Sequence, residues 1–117
     1  MTKGSHSIAQ HFESSGPAVA ATYRKIVATA KTLGPVSEDP KKTSIHLVRK
    51  SAFAGIATRK SALILTLKSA TDLKSARIAK REQASANRWH LEVRLEAPHD
   101  VDKEIAVWLK KAYEIAG

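Results

Sequence analysis

The stretch Arg88-Trp89-His90-Leu91-Glu92-Val93-Arg94-Leu95 alternates strictly between polar and apolar side chains. A period of two puts Trp89, Leu91, Val93 and Leu95 on one face of an extended chain and Arg88, His90, Glu92 and Arg94 on the other. That is the pattern of a strand with one side in a core and one side in water. Reading back toward the N-terminus, the same period returns. Thr43–Arg49 sets Ile45 and Leu47 against Ser44 and His46, Phe53–Ala57 is a short apolar run, and Ala62–Lys68 sets Leu63, Leu65 and Leu67 on one face. The breaks at Ser51-Ala52 and Thr58–Ser61 are short enough for hairpins. Arg77–Gln83 is charged, with Ile78 as its sole large apolar residue, and suits an edge strand or a short helix; the strand is preferred.

On either side of this β region the spacing changes to three and four. Val19, Tyr23, Ile26, Val27, Ala30 and Leu33 draw one stripe along a helix over Pro17–Leu33. Ser14 or Ser15 is placed to cap it, Pro17 suits a first turn that needs no donor, and Gly34-Pro35 supplies a stop. A second stripe, Val101, Ile105, Trp108, Leu109, Ala112 and Ile115, begins near Pro98, with Asp100 or Asp102 in a first turn that favours negative charge. Glu38-Asp39-Pro40 reads as a turn, and residues 1–13 read as a loose N-terminal arm. The expected fold is α+β: a helix, an antiparallel meander of four or five strands, and a helix. Both helices lie on one face of the sheet, in a single domain over residues 14–117 whose other sheet face is open. Parity places Trp89, with Trp108, in the core where the last strand meets the last helix.

The 117 residues suffice for one core. With no cysteine in the chain, disulfides, thiol nucleophiles and cysteine-rich zinc sites are excluded, and a reducing compartment is favoured. No apolar run approaches the roughly 20 residues of a membrane span, and the first residues lack the apolar stretch of a secretory signal, so a cytoplasmic protein is expected. The net charge of +9 is uneven. Lys41–Arg81 carries eleven basic residues against Asp72 alone, while the remainder is close to neutral. Such a field attracts phosphate, nucleic acid or an acidic protein surface.

Several chemistries lack their residues. A two-metal nuclease needs clustered carboxylates, yet Asp72 and Glu82 are the only acids between Lys41 and Glu82. The five histidines, His6, His11, His46, His90 and His99, show no i, i+4 pair, so no metal or cofactor is expected. Gly34 and Gly55 form no phosphate loop and are expected to serve turns. Serines are too abundant for a triad drawn among them to carry meaning. The set with chemical content is the open sheet face: Lys42, Ser44 and His46 on one strand, Thr66 and Lys68 on another, Arg88, His90 and Arg94 on a third. Gathered together, these donors and imidazoles suit an anion or a phosphate ester. Lys41, Lys42, Arg59 and Lys60 are the expected phosphate contacts for nucleic acid. Few aromatics are free to stack on bases and no basic helix is available for a groove, so binding is expected to be weak, salt-sensitive and indifferent to sequence.

The segments Pro40–Leu47, Ala52–Ile56, Asn87–His90, Asp100–Asp102 and Trp108–Tyr113, taken in order, resemble a bacterial family of domains of unknown function, DUF5655, over about Ser14–Ala116. In looser outline the chain resembles the small MmcQ/YjbR group, described as DNA-binding-like. The first resemblance implies a domain that stands alone or follows other modules, some of them nuclease-like, with no assigned activity. The expected function is therefore a small basic module that binds an anionic ligand or nucleic acid through the open sheet face. The alternative is a domain that docks an acidic protein surface. An enzyme acting on a phosphate-bearing substrate ranks third, and no membrane partner is expected.

Overall fold

A computed structural model describes residues 7–117. It contains a short helix α1 (Ile8–His11), a helix α2 (Pro17–Lys31), six strands, a 3-10 turn at Pro98–Asp100 and a closing helix α3 (Lys103–Ile115). The strands are β1 (Ser37–Pro40), β2 (Ile45–Val48), β3 (Ala52–Thr58), β4 (Leu63–Ser69), β5 (Ile78–Ser85) and β6 (Arg88–Leu95). They form one antiparallel sheet in the order β1-β2-β3-β4-β6-β5. The α+β class expected from the sequence is the class observed.

Alternation along the strands decides the layering. Ile45, Leu47, Ile56, Leu63, Leu65, Leu67, Leu91, Val93 and Leu95 are buried, whereas His46, Gly55, Ala57, Thr66, Lys68 and His90, between them in the pleat, are partly exposed. The apolar stripes of α2 (Val19, Tyr23, Ile26, Val27, Ala30) and α3 (Ile105, Trp108, Leu109, Ala112, Tyr113) join the buried set in one cluster. Each helix touches the other and β4. Burying each such Leu or Ile contributes about 1.5–3 kcal/mol, enough together to hold the sheet between helices and water. At β3 the register slips, with Leu47 opposite Ala54 and Val48 opposite Ala52. Phe53 is the residue passed over, and the bulge turns it into the core beside Ala54, where its ring meets Tyr113 edge-on at 5.4 Å.

Several expectations differ from the structure. The sheet has six strands, because Glu38-Asp39-Pro40, expected as a turn, belongs to an edge strand, Ser37–Pro40, paired to β2 with Glu38 opposite Leu47 and Pro40 opposite Ile45. Its four residues carry no apolar alternation; it is held through side chains, with the Tyr23 hydroxyl donating to Glu38 Oε1 at 2.6 Å and Lys31 3.7 Å from the same carboxylate. That acceptor, together with burial, pushes the Tyr23 hydroxyl well above the usual phenol range, burial being the larger cause.

The meander also breaks, since β4 pairs with β6 and leaves β5 outside. A strand that alternates over its whole length belongs in the middle, while β5 buries only Ile78 and suits an edge. The crossing segment is tied down by Arg81 Nε on Asp72 at 2.7 Å and by Arg77, whose Nη1 donates to Asp102 at 2.9 Å and Glu104 at 3.1 Å.

Of the arm expected over 1–13, residues 1–6 lie outside the described residues, and residues 7–13 are anchored. Ser7 and Gln10 form a capping box, Phe12 sits 5.1 Å from the Tyr23 ring, and Thr58 Oγ1 donates to the His11 carbonyl at 2.6 Å. Finally, neither serine caps α2. Gly16 takes that place without a side-chain bond, and Ser15 Oγ donates instead to the Arg59 carbonyl at 2.9 Å.

Gly34 is the stop that the sequence suggested, with φ of +149° and the Tyr113 hydroxyl where its side chain would lie. Of the two tryptophans, Trp108 is buried and Trp89, at the sheet end opposite Ser69, is only partly so.

Candidate functional site

The open face of the sheet is not flat. Its middle strand, β3, carries Ala52, Gly55 and Ala57 there, and these small residues form the floor of a trough of about 310 Å³. One wall is Ser44, just before β2, and His46 on it; the other is β4 and β6, with Thr66, Lys68 and His90. The register fixes this assembly: His46 stands opposite Gly55, Gly55 opposite Thr66, and Lys68 opposite His90.

Gly55 does not serve a turn, contrary to expectation. It is mid-strand without a positive φ, and a Cβ placed on it would meet only His46 Cδ2 at 3.9 Å and Thr66 Cβ at 4.0 Å. Neither backbone geometry nor packing asks for glycine here, and glycine within a strand costs about 0.5–1 kcal/mol relative to alanine. Its effect is to leave space, which is what close approach of a ligand requires.

The charges around the trough are mixed. Lys68 makes no ion pair among the described residues. His90 Nδ1 lies 3.9 Å from Glu82 Oε1, and Glu92 stands between Thr66 and Lys80 in the register. Positive charge is thus concentrated at Lys68, with two imidazoles facing across the floor.

A second cavity, about 680 Å³ and open, lies at the end of the sheet where the β1–β2 and β3–β4 turns meet α1. It is lined by Gln10, His11, Ser14, Ser15, Lys42, Thr43, Thr58, Arg59 and Lys60. His11 Nε2 donates to the Lys41 carbonyl at 2.7 Å, and Gly16 N donates to the Lys60 carbonyl at 2.9 Å, so both turns are fixed to the segment before α2.

The residues singled out in the sequence divide between these places. Ser44, His46, Lys68 and His90 come together in the trough. Lys42 does not join them; it belongs to the end cavity with Arg59 and Lys60. Arg94 stands opposite Ile64 and pairs with Glu96 at 3.0 Å, and Arg88, opposite Ser85, donates to the Asn87 carbonyl, so both lie outside the trough. Lys41 is paired with Asp39 at 2.8 Å and is not a free cation. Sequence reasoning missed His11, because its segment was read as loose, and the floor of the trough, whose one signal was a glycine inside a strand pattern.

Among the described residues no group of three or more His, Asp or Glu is placed to hold a metal ion, and no helix is long and apolar enough to cross a membrane. The family model described as a domain of unknown function, DUF5655, matches residues 8–116, and the chain belongs to that family. The match begins at Ile8, the first residue of α1. No curated protein matches the chain, and no solved structure does; the looser likeness to the MmcQ/YjbR group finds no support there.

Proposed function

We propose that this DUF5655 chain is a binding module whose open sheet face takes a small ligand with a phosphate-sized anionic group. The observation that carries the proposal is Gly55, a strand glycine that stability does not call for, lying at the centre of a trough walled by His46, Thr66, Lys68 and His90. The floor is apolar and suits a flat, weakly polar body. The walls supply a hydroxyl, two imidazoles and one unpaired ammonium, which together can donate to several phosphate oxygens. At about 310 Å³ the trough is at the small end of ligand pockets and suits a group the size of one nucleotide.

Docking of a broad acidic protein surface is disfavoured by Glu82 and Glu92, which interrupt the positive face. The cysteine-free composition suits a reducing compartment, and the cytoplasm is our proposed location.

The test is an NMR titration of the imidazole resonances with adenosine monophosphate and, separately, with inorganic phosphate. His46 and His90 should shift with the nucleotide while His99, remote on the 3-10 turn, stays still. Millimolar nucleotide that moves neither trough histidine would remove the proposal.

A further inference from the structure

We infer that the trough and the end cavity form one continuous track for single-stranded nucleic acid, with a base in the trough and the following phosphates on Lys42, Arg59 and Lys60. This rests on the trough being a ligand site. The two cavities share no lining residue, but Lys42 lies two residues before Ser44 and Arg59 two beyond Ala57, so the rows that line the trough lead on to cations of the end cavity. From Gly55 to Arg59 the chain rises about 3.3 Å per residue, roughly 13 Å in all. A mononucleotide does not reach that far, whereas a few linked nucleotides do.

The three cations at the far end are exposed, and among the described residues none has a carboxylate partner. Their turns are held by the bonds from His11, Ser15 and Gly16 noted above, so the charges stand on fixed backbone. A cluster of unpaired cations is attracted to a chain of phosphates. Duplex is the wrong occupant, because its bases are stacked inside and cannot enter a trough of one-nucleotide size. A single strand offers a free base, and the His46 ring, next to the vacant Gly55 position, is the aromatic surface on which it can stack.

The experiment is competition binding by fluorescence anisotropy with unlabelled thymidylate of one, two, four and eight nucleotides and an eight-base-pair duplex, at 50 and 200 mM salt. Affinity should climb from the mononucleotide to the tetranucleotide and then level, with single strand preferred over duplex. The triple variant Lys42→Ala, Arg59→Ala, Lys60→Ala should lose that climb while keeping wild-type affinity for the mononucleotide. Three phosphate contacts on a single strand, at a slope of about −0.7 each, amount to roughly a 20-fold loss between the two salt concentrations, and the triple variant should not show it.

Mononucleotide binding with no gain from length would overturn the track and leave the trough standing, as would a triple variant that keeps both the climb and the salt slope. Duplex preferred over single strand would overturn it as well. Oligonucleotide binding that is unaffected when Gly55→Leu fills the floor would overturn the trough reading and the track with it.

Discussion

Gly55 offers a perturbation whose effects on stability and on binding should have opposite signs. A methyl group added there meets its nearest neighbours at 3.9 and 4.0 Å, ordinary van der Waals contact, and the backbone is in a conformation open to any residue. Gly55→Ala should therefore stabilise the fold by about 0.5–1 kcal/mol, mostly by reducing the freedom of the unfolded chain. At about 2.1 cal/mol/K of unfolding entropy per residue, a 117-residue domain converts that into a rise in Tm of about 2–4 °C. Gly55→Leu keeps the same backbone freedom but lays a branched side chain across the floor between His46 and Thr66. It should weaken nucleotide binding at least tenfold, about 1.4 kcal/mol, without lowering Tm. Thermal melts followed by circular dichroism and a calorimetric titration with adenosine monophosphate measure both quantities. A fall in Tm for Gly55→Ala would show that the strand needs its glycine for structural reasons. Unchanged binding by Gly55→Leu would show that the floor is not where the ligand lies.

The tryptophans should separate in fluorescence: in single-tryptophan variants Trp89 is accessible to acrylamide and Trp108 protected, and Trp108→Ala costs about 3–5 kcal/mol in denaturant unfolding, more than Trp89→Ala. Equal quenching of the two would contradict the placement. Asp102 caps α3, accepting from the Ile105 N–H at 3.2 Å, and also holds Arg77, so Asp102→Ala should cost about 1 kcal/mol or more. The Asp102 carboxyl is held below the usual range by that N–H and by Arg77, and the Asp100 carboxyl by the N–H groups of Glu96 and Ala97. Lowered carboxylate pKa values give stability that is complete above the unfolded value, near pH 4, and drains as pH falls through the folded values. Urea midpoints from pH 6 down to pH 2 should fall below about pH 4, and less steeply in Asp102→Ala; a flat profile would refute the assignment.

The parts of the fold legible from sequence are those that bury a periodic apolar face. Arg88–Leu95, Ala62–Lys68 and the two helical stripes place themselves because moving any of them by one position would put leucines in water. β1 was illegible for the opposite reason: Ser37–Pro40 has no fully buried residue, and it is a strand through backbone pairing to β2, with Glu38 tied by the Tyr23 hydroxyl and Lys31. The order of β5 and β6 was equally hidden. Periodicity tells which face of a strand is buried but not which strand is its neighbour, and only the poverty of β5 in apolar residues hinted at an edge. Residues 7–13 were misjudged because the Phe12–Tyr23 ring contact, a partly buried Ile8 and a hydroxyl bond, rather than a repeating pattern, hold them.

The charge count illustrates the same limit in the site. Eleven basic residues in Lys41–Arg81 suggest one broad positive field, yet folding divides them by partner. Arg77, Arg81, Lys74 and Lys41 each face a carboxylate, and Arg49 lies over the Tyr113 ring at 4.3 Å while donating to its carbonyl. These five act within the structure, tying the β4–β5 crossing, the β1–β2 turn and the end of α3. Six are left without a carboxylate partner among the described residues: Lys42, Arg59 and Lys60 at the sheet end and Lys68 on the open face line the two cavities, whereas Lys50 and Lys80 line neither. A ligand drawn by the total charge would spread over the segment; one drawn by the unpaired cations that line the cavities follows a line from Lys68 past Gly55 to Lys60. A charge-reversal comparison separates the two: Lys74→Glu should leave oligonucleotide affinity nearly unchanged, whereas Lys60→Glu should lower it sharply at 50 mM salt. Equal losses would mean that the field as a whole, and not the track, attracts the partner.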